Sequence, residues 1–513
     1  DFPSATPRER MFRLGGGLLT TLIFIFIWMM LNPARPHIQT GDLFTHLSVA
    51  RHLLRGDGFV TDVAYPLSFA FDFARQLPQP LIHRGPGFAL LLTTAVAPAR
   101  DDPAAIVANV RWLQIVFLGL IVWVGLKQLT ARRDFQTGAA WLVLLLMSPL
   151  LGFAVNWAFS ELQAGLFLFL IWLKRRKNPS AGPGFVDGLL LGALTLFRWD
   201  LIWIPLLWWV WDRFEVKAVA GRESSPVPGF WNRKFYMVLL LVLLINLPWL
   251  VRNSELTGNP FFTLQSQAEI VKDTRNWPGY SVYQQLEPQP ILQVLSEDPT
   301  PILRKFVRGL SFYFCSLGGL FPWAGLVVVA LALVVYLRGS VDKSPCPLRP
   351  NAEHPLSTMV HLSPLGPLVV AGLTLLLMIA QYSFFDHSLR HLLVLFPLVT
   401  WEFASLVGYG LNNLSKKINF KPWTMLIAAT FITWAAAEVS NRSLSGWEVA
   451  AQQAQLQSAS LETKTSLLIN DPAAVPFSKT SAAPWYADRP AVWDPDNEET
   501  RNKIREFLSQ STP

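Results

Sequence analysis

Residues 41–59 read GDLFTHLSVARHLLRGDGF and bring Asp42, His46, Arg51, His52, Arg55 and Asp57 into one short stretch. A helix starting near Asp42 presents Asp42 and His46, four residues apart, on the same face. The carboxylate has two chemistries open to it. It caps the N–H groups of the first helical turn, or it takes a proton from an incoming hydroxyl or amine as a general base. Other ionisable residues recur at the edges of apolar runs. His83 and Arg84 precede Gly85-Pro86-Gly87, and Glu161 opens a run. Arg198 and Asp200 separate two runs, Arg252 and Asn253 close one, and Asp386, His387, Arg390 and His391 precede another. His46, His83, His387 and His391 match no standard metal spacing, and the acids of residues 32–104 include no Asp-x-Asp pair. No cofactor is implied, and dependence on a divalent metal stays open.

The elements that must position these residues are membrane helices. The chain of 513 residues is 51% hydrophobic and only 15% charged, with 21 Trp suited to interfacial belts. Its net charge of +8 comes from short basic clusters between apolar runs, which is a topology signal and speaks against nucleic acid as a partner. Cys315 falls in an apolar run and Cys346 in a basic loop, so neither a disulfide nor a metal motif is expected. The chain begins at Asp1 rather than Met, so a preceding piece is expected to be missing; residues 14–31 lack a small-residue cleavage site and read as a retained anchor.

Eleven spans are predicted, near 14–31, 105–126, 136–155, 159–173, 184–198, 200–211, 235–251, 310–337, 364–382, 391–411 and 422–438. Residues 85–98 form only a short apolar stretch between prolines, fitting an interfacial or re-entrant segment. Leaving them out puts every dense basic cluster, from Arg8/Arg10/Arg13 to Lys416/Lys417, on one side, the cytoplasm, with the N-terminus. The outer side then receives loops 32–104 and 252–308, residues 383–390 and the tail. Residues 1–438 read as a transmembrane domain, and 439–513 as a small outer α/β domain whose completeness stays open. Within that tail, 466–471 and 489–493 read as strands and 497–510 as an amphipathic helix. There is no internal repeat, which weighs against transporters built from repeated halves.

With this topology the unusual acids and arginines gather at one depth, the outer headgroup region. Such a place suits a lipid-linked phosphate: guanidinium forks bind the phosphate oxygens while an apolar groove holds the tail. Plainer roles stand beside this one. Arg51, Arg55 and Arg84 also suit snorkelling anchors, Arg198–Asp200 a local turn pair, and His46 a structural contact. Arg252, Arg390 and His391 lie outside against the positive-inside bias, which favours function.

The order of motifs resembles the GT-C glycosyltransferases of the dolichyl-phosphate-mannose–protein mannosyltransferase and aminoarabinose-transferase type. Four segments carry the likeness in order: TGDLFTHLSVARHLLRGDGF, HRGPGFALLLTTAVAP, LPWLVRNSELTGNPFF and LRHLLVLFP. The tail INDPAAVPFSKTSAAPWYADRPAVWDPDN adds a fifth. Gly85 in place of a more usual Pro, and His46 where Tyr is frequent, are departures that leave donor and acceptor open. The resemblance implies a mainly α GT-C fold and sugar transfer from a polyprenyl-phosphate donor to a protein, lipid or glycan acceptor at the outer face of the plasma or inner membrane. It implies Asp42 as general base, Glu161 as a second acid that orients the acceptor or binds a metal, and Arg252 and Arg390 on the donor phosphate. Arg84 joins them as a phosphate candidate, and His46, His83, Asn253, Asp386, His387 and His391 as pocket residues. The competing reading is a transporter or lipid flippase without covalent chemistry; a membrane scaffold is a weaker third.

Overall fold

The structure, a computed structural model, describes residues 7–32, 41–99, 102–132, 135–177, 182–220, 233–320, 365–417, 477–478 and 491–510, apart from 147, 273, 275–280, 285–286, 289–290, 386 and 496. These residues are mainly helical. In chain order the first helices are α1 (Pro7–Leu31), α2 (Gly41–Arg55), α3 (Gly87–Val96), α4 (Pro103–Arg132), α5 (Phe135–Leu146), α6 (Pro149–Trp157) and α7 (Glu161–Lys177). Next come α8 (Phe185–Phe197), α9 (Trp203–Ala220), α10 (Arg233–Thr257), α11 (Ile291–Glu297), α12 (Thr300–Leu320), α13 (Leu365–Ser383), α14 (Phe396–Lys417) and α15 (Glu498–Gln510).

By length and composition, four stretches can cross a membrane: 103–129, 233–257, 366–383 and 389–408. The 389–408 stretch is 89% buried and runs through the middle of the bundle, whereas that of α10 is 22% buried and lies at its edge. Exposed Leu, Phe and Met side chains on α1 and α10, such as Phe26, Met30, Leu240 and Leu244, need an apolar surrounding. The protein is an integral membrane protein.

The eleven-span count exceeds what the described residues provide, which is four crossings, or five with one bent pair. That pair lies at the expected span 136–155. Pro149 has no N–H to continue the helix, Ser148 Oγ caps the new one through Leu151 N at 3.3 Å, and α5 and α6 meet at a 68° bend. Helix α8 covers only 13 residues. The expected span 422–438, most of the tail and Cys346 lie outside the described residues. Residues 85–98 carry the short helix α3, packed on α2 and α4.

At one end of the bundle the loops form a layer. Strand β1 (Val60–Thr61) pairs antiparallel with β3 (Gln79–Pro80), while β2 (Val63–Ala64) and β4 (Phe477–Ser478) flank β5 (Ala491–Trp493) in parallel register. Strand β5 and helix α15 fall where a strand and an amphipathic helix are expected in the tail. Val63, Tyr65 and Ile82 share an apolar cluster with Phe262, Leu264 and Val282, tying residues 60–82 to 262–302.

This layer takes Arg51 out of the headgroup setting that a snorkelling anchor needs. Leu43, Phe44, Leu47 and Ala50 pack on α3 and α4, and Thr45, His46, Ser48, Arg51 and His52 are buried too. Only the last turn, including Leu54 and Arg55, is open. The loop layer covers the face that an isolated amphipathic helix would give to solvent.

Candidate active site

Asp42 stands in the first turn of α2, and three other segments bring cations to this end of the bundle. Two close approaches make that geometry feasible. A Cβ on Gly85 would sit 2.6 Å from the carbonyl oxygen of Leu196, and one on Gly87 2.8 Å from the same carbonyl, so this turn can seat itself on the end of α8 only with glycines. That contact accounts for glycine at Gly85, where the resemblance would have proline. A Cβ on Gly165 would already lie 3.2 Å from Val394 O, so this glycine lets the 3₁₀ segment Leu389–Leu395 rest on α7. Arg84 is thereby delivered to Asp42 from the loop before α3, and Arg390 from the start of the 3₁₀ segment.

Arg84 Nη2 donates to Asp42 Oδ1 at 2.6 Å, and Arg390 Nη1 donates to Asp42 Oδ2. Each carboxylate oxygen therefore carries a guanidinium, and all three side chains remain about one-fifth exposed. Burial would push the Asp42 carboxyl up, but Arg84 and Arg390 hold it well below the usual carboxylate range. Asp42 is a carboxylate at any physiological pH. The Arg390 guanidinium also lies over the Phe159 ring at 5.4 Å.

A second polar group adjoins it through the Arg390–His391 pair. Helix α6 ends on Ala158 in a left-handed conformation (φ 54°), and α7 starts at Glu161, so the reversal is made within three residues. Arg198 Nη1 donates to Glu161 Oε1 at 2.9 Å and forks onto both oxygens of Asp200 at 3.0 Å. Its Nη2 also reaches Tyr382 Oη at 2.5 Å, and that hydroxyl donates to Asp200. Burial opposes ionisation of Asp200, yet Arg198 brings its carboxyl down to about 2. His391 stacks on Tyr382 at 4.4 Å with its Nδ1 3.8 Å from Glu161 Oε1. Arg198–Asp200 is thus the turn pair expected from sequence and also the clamp on Glu161. Tyr382 went unmarked because a tyrosine ending an apolar run has a routine interfacial reading.

The remaining candidates are distributed differently. His46 and His83 lie beside the Asp42 group, buried, with Nδ1 of His46 and Nε2 of His83 lacking a hydrogen-bond partner among the described residues. Burial and the nearby Arg84 push His46 down to about 3 and His83 well below its ordinary range, so both rings are neutral. Arg252 donates from Nη1 to Leu81 O and from Nη2 to Phe59 O, both at 3.0 Å, and stacks on Trp249 at 4.6 Å. Both its terminal nitrogens are engaged in tying α10 to the loop layer, not aimed at Asp42. Asn253 accepts from Arg252 and holds the turn at 260–262. His387 stacks on Phe312 with Nε2 3.3 Å from Ser383 O. Asp386 lies outside the described residues. Among the described residues, no group of three or more His, Cys, Asp or Glu converges in a metal-binding arrangement.

A network missed from sequence fixes the other end of α2. His52 Nδ1 meets Asp57 Oδ2 and His52 Nε2 meets Asp62 Oδ1, both at 2.8 Å, while Ser48 Oγ donates to Asp62 Oδ2 at 2.6 Å. Chiefly through its hydrogen bond to Asp62, and against partial burial, His52 is raised above its ordinary value of 6.5. A raised folded value means that this contribution to stability is complete below 6.5 and is lost as pH rises through the folded value. The unfolding midpoint of the purified protein should therefore fall between about pH 6 and pH 9, and His52→Gln should flatten that slope. An unchanged slope in His52→Gln would remove the histidine from this account.

Comparison with solved structures places this arrangement in a known frame. The crystal structure of ArnT from Cupriavidus metallidurans bound to undecaprenyl phosphate superposes with a TM-score of 0.50 at 12% identity, over 97% of this chain and 87% of that one. The chain has the GT-C fold. Its likeness to the apo-state ArnT structure of the same organism has a TM-score of 0.41 at 14% identity, over 97% of this chain and 89% of the other. No family model matches the sequence, and a search of curated proteins gives no match. The GT-C resemblance carried by the sequence motifs holds at the level of fold.

Proposed function

We propose that this GT-C chain is a membrane glycosyltransferase that moves a sugar from a polyprenyl-phosphate donor to a protein, lipid or glycan acceptor. The observation that carries the proposal is the Asp42 carboxylate bridged on both oxygens by arginines from two distant segments. The ArnT structure of the same fold holds undecaprenyl phosphate, which supports a lipid phosphate as donor anchor here. In the step itself, an acceptor oxygen or nitrogen bonds to the anomeric carbon as the carbon–oxygen bond to phosphate breaks. The acceptor proton goes to Asp42, and the phosphate leaves with the electron pair and a further negative charge.

Arg84 and Arg390 match that charge. A carboxylate held by two guanidiniums is a weak base, so the donor has a second effect. As the arginines turn toward phosphate, they release Asp42, whose proton affinity rises at the moment a base is needed. Glu161, held by Arg198, orients the acceptor, and His391 beside it belongs to the same pocket. Arg252 acts as a positioning residue that keeps residues 59 and 81 on α10. The eleven-span topology, with a cytoplasmic N-terminus and the site and the 439–513 α/β domain on the outer face, rests on the one-sided basic clusters.

The test is reconstitution of the full chain in liposomes with undecaprenyl phosphate and a panel of undecaprenyl-phosphoryl sugars, plus membrane extract as acceptor source. Saturable lipid-phosphate binding and release of sugar-free undecaprenyl phosphate are expected. Translocation of intact glycolipid without covalent product would replace the proposal with transport.

A further inference from the structure

We propose that Arg111 and Asn156 hold the phosphate of an anionic phospholipid on the membrane-facing side of α4. Such a site is independent of the glycosyltransferase reading above. Helix α1 ends at Leu31 and α6 at Trp157, and Arg111 reaches both ends from α4. Its Nε donates to Asn156 Oδ1 at 2.9 Å and its Nη2 to the Asn32 carbonyl at 2.7 Å. Arg84, Arg198 and Arg390 each meet a carboxylate, whereas Arg111 pairs with none among the described residues. A partly buried guanidinium without a counter-charge costs free energy. The plainer role is a cap on α1, but a helix end supplies only about half a negative charge. A net positive charge is left over.

The remaining donors fit a phosphate. A guanidinium only donates, so the Asn156 oxygen must face it, which turns Nδ2 the other way. Arg111 Nη1 and Asn156 Nδ2 make no hydrogen bond among the described residues, and both residues are partly exposed. Donors without an acceptor suit an anion with several oxygens. Depth makes that anion a lipid headgroup. Asn156 lies just before Phe159, whose ring Arg390 covers, so the pair sits at the same end of the bundle as Asp42. Arg111 and the end of α4 at Arg132 are roughly 30 Å apart along the axis, the thickness of a hydrocarbon core. Arg111 therefore falls at a headgroup boundary. Trp112, Val116 and Leu120 form an exposed stripe running down α4 from there, and α1, packed on α4, exposes Phe26 and Met30. Acyl chains can lie on these side chains while the phosphate rests on the two donors.

The probes are dioleoyl phosphatidylglycerol and zwitterionic dioleoyl phosphatidylcholine, added to the delipidated full-length protein, with retained lipid read by native mass spectrometry. Phosphatidylglycerol should be retained at about tenfold lower concentration than phosphatidylcholine, and Arg111→Gln should abolish that preference. Asn156→Asp guards against a folding artefact, because it sets a carboxylate on the guanidinium and satisfies the charge internally. It should cut the preference by about tenfold while the unfolding midpoint without lipid holds or rises. An unchanged preference in folded Arg111→Gln and Asn156→Asp would overturn the site and leave Arg111 as a cap on α1. Loss of the preference in Arg390→Gln would move the lipid to the Asp42 centre, and displacement by an equal concentration of inorganic phosphate would make this a free-anion site; either result overturns the assignment.

Discussion

Asp42→Asn should lower sugar transfer about a thousandfold while the protein still folds and binds the lipid phosphate. The substitution is nearly isosteric and can still accept from one arginine, so the packing of α2 on α3 and α4 is untouched. What disappears is the carboxylate that Arg84 and Arg390 hold, the group assigned to take the acceptor proton. Donor binding makes the prediction specific. Without a charged carboxylate to compete, both guanidiniums bind residue 42 less strongly, so undecaprenyl phosphate should bind as tightly as in the parent protein or tighter. Transfer rate and lipid binding must be measured together. Retained transfer would remove the base assignment. Loss of transfer together with loss of lipid binding would make Asp42 an anchor for the arginines instead of a base.

Arg198→Ala should be the most damaging stability change at this end of the bundle, costing about 3 kcal/mol or more. Its guanidinium is shared among Glu161, Asp200 and Tyr382, and the Glu161 side chain is 5% exposed. Removing the arginine leaves Glu161 buried with His391 at 3.8 Å as its nearest charge partner. Combining Arg198→Met with Glu161→Gln should recover part of the lost stability, because it removes the buried pair together and leaves only Asp200, whose side chain is 38% exposed, without its arginine. It should not recover transfer, because Glu161 is assigned to the acceptor. Unfolding midpoints of the single and double variants decide the first point and product formation the second. A single variant as stable as the parent but inactive would move Arg198 from the scaffold to the substrate.

Several features could be read directly from residues because they are local. The apolar runs, the brevity of 85–98, an acid in the first turn of a helix at 41–55 and an amphipathic helix near 497–510 each depend on composition or periodicity within one segment. Ordered motifs added the fold type. Partners could not be read that way. Asp42 and Arg390 are 348 residues apart, and Trp203 and Gln381, which hydrogen-bond at 2.8 Å, are 178 apart. Nothing local distinguishes Arg390, which meets a carboxylate, from Arg252, whose terminal nitrogens meet carbonyls.

The amino-acid sequence alone established a polytopic membrane chain with chemistry-bearing residues gathered at span ends, since hydropathy and charge act over a single turn or span. The close approaches at Gly85, Gly87 and Gly165 determine which of those residues meet. They also make Asp42 a doubly bridged carboxylate, a setting that a sequence reading of cap or general base did not contain, and they bury the polar face of α2 beneath the loop layer. An ionisable group's role depends on which charges and how much protein surround it, and that environment exists only once distant segments have packed.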